Sequence, residues 1–251
     1  VSNTGSGELL VSGNVENGEG NVEIVKAGTA GVTISGNVVN KKGNTKVANQ
    51  GSTKTEISGF VENGNGNLEI TKSGTEGITI SGDVLNKQGK TAITNDGSDQ
   101  IFVSGNVTNN NGQLDVINNG GENGVEVTGK INNKKGVTNI KNTNDQGGIK
   151  VAVSGIVKNE DGNINIANNG SKGIIVEGII NAVNQDIQIN NSNSDIVIGE
   201  YDSDNDNYIK TDNGNVIISQ INGNIINGIS DIDSAANQNH DRGNVDKAYK
   251  T

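Results

Sequence analysis

Few residues in this 251-residue chain have the type and spacing to do chemistry. Asp202-Ser-Asp204-Asn-Asp206 carries alternating carboxylates, the arrangement that opens an oxygen-ligand calcium loop. The full loop pattern then needs Gly where Asn207 stands and Glu where Asn213 stands. Asp202, Asp204 and Asp206 are therefore incomplete metal candidates, and a solvated acidic loop explains them better. The Gly-Gly-x-Gly-x-Asp calcium nonapeptide of other β-solenoids does not occur. His240 is the sole histidine, beside Asp241 and Arg242, and there is no cysteine, so a catalytic triad or a histidine or thiolate metal centre has no residues to build it. Glu122, Glu160 and Asp161 fall at expected turns and would pair only through neighbouring coils. Gly18-Glu-Gly20 and Gly64-Asn-Gly66 precede no helix, so they lack the dipole of a phosphate-binding turn. Thr53-Lys-Thr55 is the lone approach to the threonine ranks of an ice-binding face. No catalytic or cofactor-binding residue is assigned, no cofactor is expected, and the chain reads as a non-enzyme.

Composition narrows the classes further. The net charge is −10 and the pI about 4.6, which repels phosphate backbones and argues against a nucleic-acid partner. No apolar run approaches the roughly 20 residues needed to span a bilayer. The chain starts at Val1 without a visible signal peptide, which suggests a piece of a longer protein. Apolar residues are 30% and aromatics 2%, with 37 glycines and no Pro, Cys, Met or Trp. Such poverty often means disorder. Here, however, Val and Ile recur at fixed spacing, so the apolar content must serve a narrow core.

The glycine of a recurring Ser-Gly pair marks the period: Gly13, Gly36, Gly59, Gly82, Gly105, Gly129, Gly155 and Gly178, in steps of 23 with 24 and 26 intervening. Two residues before it stand Val11, Ile34, Ile57, Ile80, Val103, Val127, Val153 and Val176, and two after it Val15, Val38, Val61, Val84, Val107, Ile131, Val157 and Ile180. Eleven after it stand Ile24, Val47, Ile70, Ile93, Val116, Ile140, Ile166 and Ile189. Each short segment alternates with period two, the strand signature. Three segments per coil, parted by Gly/Asn corners, cannot bury their inner faces alone, whereas coils stacked about 4.8 Å apart bury them together. The expected fold is all-β: a parallel β-helix, or β-solenoid, of about nine 23-residue coils. Glycine and asparagine occupy the corners, where tight turns are expected to need left-handed backbone.

Polar columns follow the same period. Asn17, Asn40, Asn63, Asn86, Asn109, Asn133 and Asn159 lie four after the marker, and Ser12, Ser35, Ser58, Ser81, Ser104, Thr128 and Ser154 one before it. Both columns are expected to form hydrogen-bonded ladders along the axis. Charge keeps a two-coil rhythm: Glu23, Lys46, Glu69, Ala92 and Asp115 occupy one column, with Lys41–Lys42, Lys87 and Lys134–Lys135 in even coils, so like charges avoid adjacent rungs. A 46-residue unit recurs, as duplication of a coil pair would produce. Phe60 and Phe102 read as packing residues. Ile196 and Ile198 open a ninth coil, a loop spans Tyr201 to Tyr208, and the coil is expected to resume at Gly214 with Val216 and Ile218. The solenoid is assigned to residues 1–228 and an aperiodic tail, or the start of another segment, to 229–251.

The runs Val103-Ser-Gly105-Asn-Val107-Thr-Asn109, Gly112-Gln-Leu114-Asp-Val116 and Gly173-Ile-Ile-Val-Glu-Gly178 resemble the repeat tracts of filamentous haemagglutinin-like adhesins, including the leukotoxin-type exoproteins of two-partner secretion. The resemblance covers about residues 5–228. It implies a right-handed β-helix shaft, export through an outer-membrane partner barrel, an extracellular or bacterial cell-surface location, and a role in attachment to cell surfaces or matrix glycans. The Asn-Pro motifs of that family's secretion domain are missing, since the chain has no proline. The alternatives are a self-assembling extracellular fibre, associating end to end, and a glycan-active β-helix enzyme.

Overall fold

The structure, a computed structural model, describes residues 1–199, 209–227 and the backbone of 240–241. Among them there is no helix, and three parallel sheets wall one continuous interior. Each coil contributes one strand to each sheet. In the fourth coil these are Ile78–Ile80 in sheet I, Asp83–Asn86 in sheet II and Thr91–Asn95 in sheet III. Every described strand pairs in parallel with its equivalent one coil away, as in Leu68↔Thr91, Ile70↔Ile93 and Lys72↔Asn95. The expected β-solenoid of about nine coils is what forms.

Strand parity decides what fills the interior. Ile78, Ile80, Val84 and Ile93 are at most 1% exposed, and the outward residues between them, Thr79, Leu85 and Thr94, are half-buried. Burying one Val or Ile side chain contributes about 1.5–3 kcal/mol. A coil of so few apolar residues is viable because its neighbours cover both of its open sides. Threonine takes inner positions too: Thr45, Thr55, Thr91 and Thr138 are fully buried.

Glycine serves two different constraints at the corners. The second glycine of the coil has positive φ, as at Gly66 (133°), the left-handed backbone that its corner requires. The marker glycine does not. Its need is proximity: a Cβ on Gly59 would lie 2.0 Å from the carbonyl oxygen of Gly36 on the coil before. Stacking, rather than turn geometry, excludes a side chain there.

The structure departs from the periodicity in two places. In the long seventh coil the inner residue is Val151, paired with Val127 and Val176, while Val153 stands in a turn at 50% exposure. Two additional residues fall between that strand and the marker glycine, so counting back two from Gly155 stops short, in the inserted turn. In the ninth coil the chain rejoins before Gly214: Ile209–Thr211 pairs with sheet II, Ile180↔Ile209. Ile209 and Thr211 point inward, a two-residue alternation too short to stand out after an insertion. The backbone of His240–Asp241, within the segment expected to be aperiodic, pairs in parallel with Ser219–Gln220.

The marker column gives an internal comparison. Gly59→Ala is expected to lower stability by at least about 2 kcal/mol in urea unfolding, since backbone atoms must separate. Gly13→Ala, in the same column but with open space around the added methyl, should stay within about 0.5 kcal/mol of the parent chain.

Candidate functional site

The residues singled out for chemistry are not drawn together. Asp202, Asp204 and Asp206 lie outside the described residues, as do Arg242 and Tyr249. Among the described residues, no group of three or more His, Cys, Asp or Glu side chains converges as a metal site. Glu160 lies 3.5 Å from Lys158, and Glu122 is exposed in a turn. Thr55 points into the interior whereas Thr53 is exposed, so the two form no rank on one face. Phe60 and Phe102 are half-buried on outward faces of sheets II and I, so they cover the wall rather than fill the core. A hollow of about 170 Å³ lies over the first three coils, edged by Asn21, Asn44 and Asn67 and by Glu23, Lys46 and Glu69. It is smaller than the roughly 300–1,000 Å³ of ordinary ligand sites.

What the fold does concentrate is buried amide. The asparagine that ends the sheet II strand in the second to seventh coils turns inward: Asn40, Asn63, Asn86, Asn109, Asn133 and Asn159 are all 0% exposed. Asn17 Nδ2 donates to Asn40 Oδ1 at 2.9 Å, Asn40 to Asn63 at 3.3 Å and Asn63 to Asn86 at 3.1 Å. The remaining amide hydrogens close the following corner, as in Asn63 Nδ2 to the Gly66 carbonyl at 2.8 Å. Inner threonines join in: the Thr91 hydroxyl donates to Asn109 Oδ1 at 3.0 Å. Turn former and ladder rung are thus one role. The ladder is interrupted twice: Asn86 donates to the Lys90 carbonyl at 3.1 Å rather than to Asn109, and at the 26-residue step Asn133 donates to carbonyls instead and Asn159 Oδ1 has no partner. Ala182 then takes the next inner position.

The serine column behaves otherwise. Ser12, Ser35, Ser58, Ser81 and Ser104 are exposed at the corner, and within that column Ser154, donating to the Thr128 carbonyl at 2.8 Å, is the one serine with a side-chain hydrogen bond. Hydroxyls facing water find solvent partners and need no ladder.

A second buried column escaped the sequence reading. The last residue of each sheet III strand also points inward: Lys26, Asn49, Lys72, Asn95, Asn118, Asn142, Asn168 and Asn191 are each at most 2% exposed. From Asn95 to Asn191 the amides chain without interruption, at 2.8, 3.0, 2.8 and 2.7 Å. Parity held the signal, since these residues stand two after the inner Ile/Val of sheet III and share its face. At Lys26 and Lys72 an ammonium replaces the amide. Lys72 Nζ donates to the carbonyl of Gly51 on the preceding coil at 2.6 Å, and Lys26 Nζ donates to that of Gly5. Burial pushes the Lys72 amine below the ordinary lysine range, against the opposing charge of Glu76.

The outer charges pair across rungs, as their alternation suggests. Lys42 reaches Glu19 at 2.8 Å, Lys87 reaches Glu62 at 2.6 Å, and Lys46 lies 3.9 Å from Glu69. Exposed pairs of this kind contribute little. Asp115 differs, being 3% exposed and held by Lys90 at 2.7 Å, by both amide contacts of Gln113 and by Asn139 Nδ2 at 2.7 Å. Burial alone would raise its carboxyl, but the hydrogen bonds from Asn139, Lys90 and Gln113 with the Lys90 charge outweigh it and hold the group below the usual carboxylate range.

Comparison with models of protein families, with curated proteins and with solved structures finds no match. The site evidence therefore rests on geometry: the polar machinery of this chain points inward and along its axis.

Two outcomes follow. Asn118→Leu orphans the Asn95 donor and the Asn142 acceptor, and should cost about 2–5 kcal/mol, with amide exchange rising first in the coils on either side. Asp115 has a lowered folded-state value, so its contribution is present above the unfolded pKa near about 3.9 and is lost as pH falls through the folded value. The Asp115→Asn chain should be less stable than the parent at pH 7. That gap should narrow in urea melts repeated from pH 5 downward.

Proposed function

We propose that the chain is a structural shaft, one stretch of a large secreted filamentous bacterial surface protein that mediates attachment or matrix formation. One observation carries this reading: the same three-strand coil repeats with in-register parallel pairing from the first rung to the ninth, and its hydrogen bonds run along one axis. Such a stack resists bending because deforming it strains three sheets and two buried amide columns together. The corners are short and the outer faces carry mixed, mutually paired charge, which suits a rod that must stay soluble. The family resemblance of the Val103–Asn109 and Gly173–Gly178 tracts supplies the adhesive and extracellular part of the proposal. Attachment then belongs to other parts of the parent protein, and this segment supplies reach.

Small-angle scattering and negative-stain imaging of the purified chain test the reading. Single rods are expected, with nine rungs spanning about 40–45 Å at the usual spacing. Filaments growing end to end would transfer the proposal to a self-assembling fibre. Cleavage of acidic polysaccharides by the purified chain would overturn it in favour of an enzyme.

A further inference from the structure

Three independent columns of the first four coils alternate in step. Inside, the last inward position of sheet III reads Lys26, Asn49, Lys72, Asn95. Outside, the column on the same sheet reads Glu23, Lys46, Glu69, Ala92. At the corner, the lysines of even coils reach back to carboxylates of odd ones, Lys42 to Glu19 and Lys87 to Glu62. The inner column decides the matter, because a lysine at 0% exposure has no solvent to screen it. Asn49 stands between Lys26 and Lys72 in direct register with both, which places the two ammonium-bearing residues two rungs apart, about 9–10 Å, instead of one, about 4.8 Å.

We infer that the second coil of the solenoid is an obligatory spacer, neutral on the inside, between the two coils that bury a lysine, so that it cannot be lost alone without damage. Removing that coil brings Lys26 onto the rung beside Lys72 and Glu23 beside Glu69. Removing two brings Lys26 beside Asn95 and Glu23 beside Ala92, and both columns stay compatible. The neighbouring glycines tighten the constraint. A Cβ on Gly28 would lie 2.3 Å from Lys26 Nζ and one on Gly74 2.4 Å from Lys72 Nζ, so each amine is held against its own corner with little room to swing away from a like charge. The inference concerns how the rod can be assembled and holds whether the rod is a shaft, a fibre or part of an enzyme.

Two deletions with equivalent junctions test it: residues 37–59, which joins Gly36 to Phe60, and residues 37–82, which joins Gly36 to Asp83. In a repeat protein whose stability sums over coils, the shorter deletion should give the more stable chain. The need for a spacer between the lysines reverses that order. The one-coil deletion is expected to melt at least about 5 °C below the two-coil deletion by circular dichroism. Lys72→Asn placed in the one-coil deletion should restore most of the difference, and should raise its melting temperature well beyond any change that Lys72→Asn makes in the parent chain, since Asn then stands beside Lys26 as in the parent chain. The rescue separates like-charge burial from a poor junction. If the one-coil deletion melts at or above the two-coil deletion, or if Lys72→Asn leaves it unimproved, the inference is wrong.

Discussion

An inward polar group in a solenoid this narrow has two places to find a partner, the corner of its own coil or the rung beside it. That constraint organises the molecule. An unpaired buried amide costs about 1–3 kcal/mol, as much as a buried valine contributes. Each inner Asn therefore has to place its donors and its acceptor within the stack. Asn63 divides its amide hydrogens between its corner and the next rung, and its Oδ1 accepts from Asn40 and from the Thr45 hydroxyl. The register of one coil fixes the next, so the stack is specific as well as cohesive.

The apolar residues supply most of the driving force and little of the register. Val and Ile columns tolerate one another in many pairings, and a coil shifted by two residues would still bury apolar side chains. Shifting Asn118 by two residues would leave Asn95 and Asn142 without their partners. The two lysines sharpen this further. Replacing a buried ammonium by a neutral group of similar size is often harmless or stabilising. Lys26 and Lys72 are therefore better understood as constraints on neighbouring coils than as contributors to cohesion.

The same economy explains why, among the described residues, no acidic, histidine or cysteine side chains converge as a metal site. Several long side chains are engaged in ion pairs, and the buried amides face the interior. Among the described residues Asp115 is the most deeply held carboxylate on the outer wall, and Lys90, Gln113 and Asn139 each direct a donor at it. Such a group is committed to structure.

Much of this was legible in the sequence. The 23-residue period, the three strands per coil, the sheet II asparagine column and the two-coil rhythm of charge all follow from residue type and spacing, because a solenoid repeats one local environment. Three things needed the tertiary structure. The serine column forms no ladder, because the corner faces water. The coils lengthened by insertion shift their inner residues, to Val151 in the seventh and Ile209 in the ninth, because only pairing with the adjacent rung reveals where the extra residues went. The second asparagine column, with its two lysines, was present in the parity of sheet III but does not stand out there. Spacing alone repeats equally well for a residue that points out and one that points in, and burial on a shared face is decided only when neighbouring coils close over it.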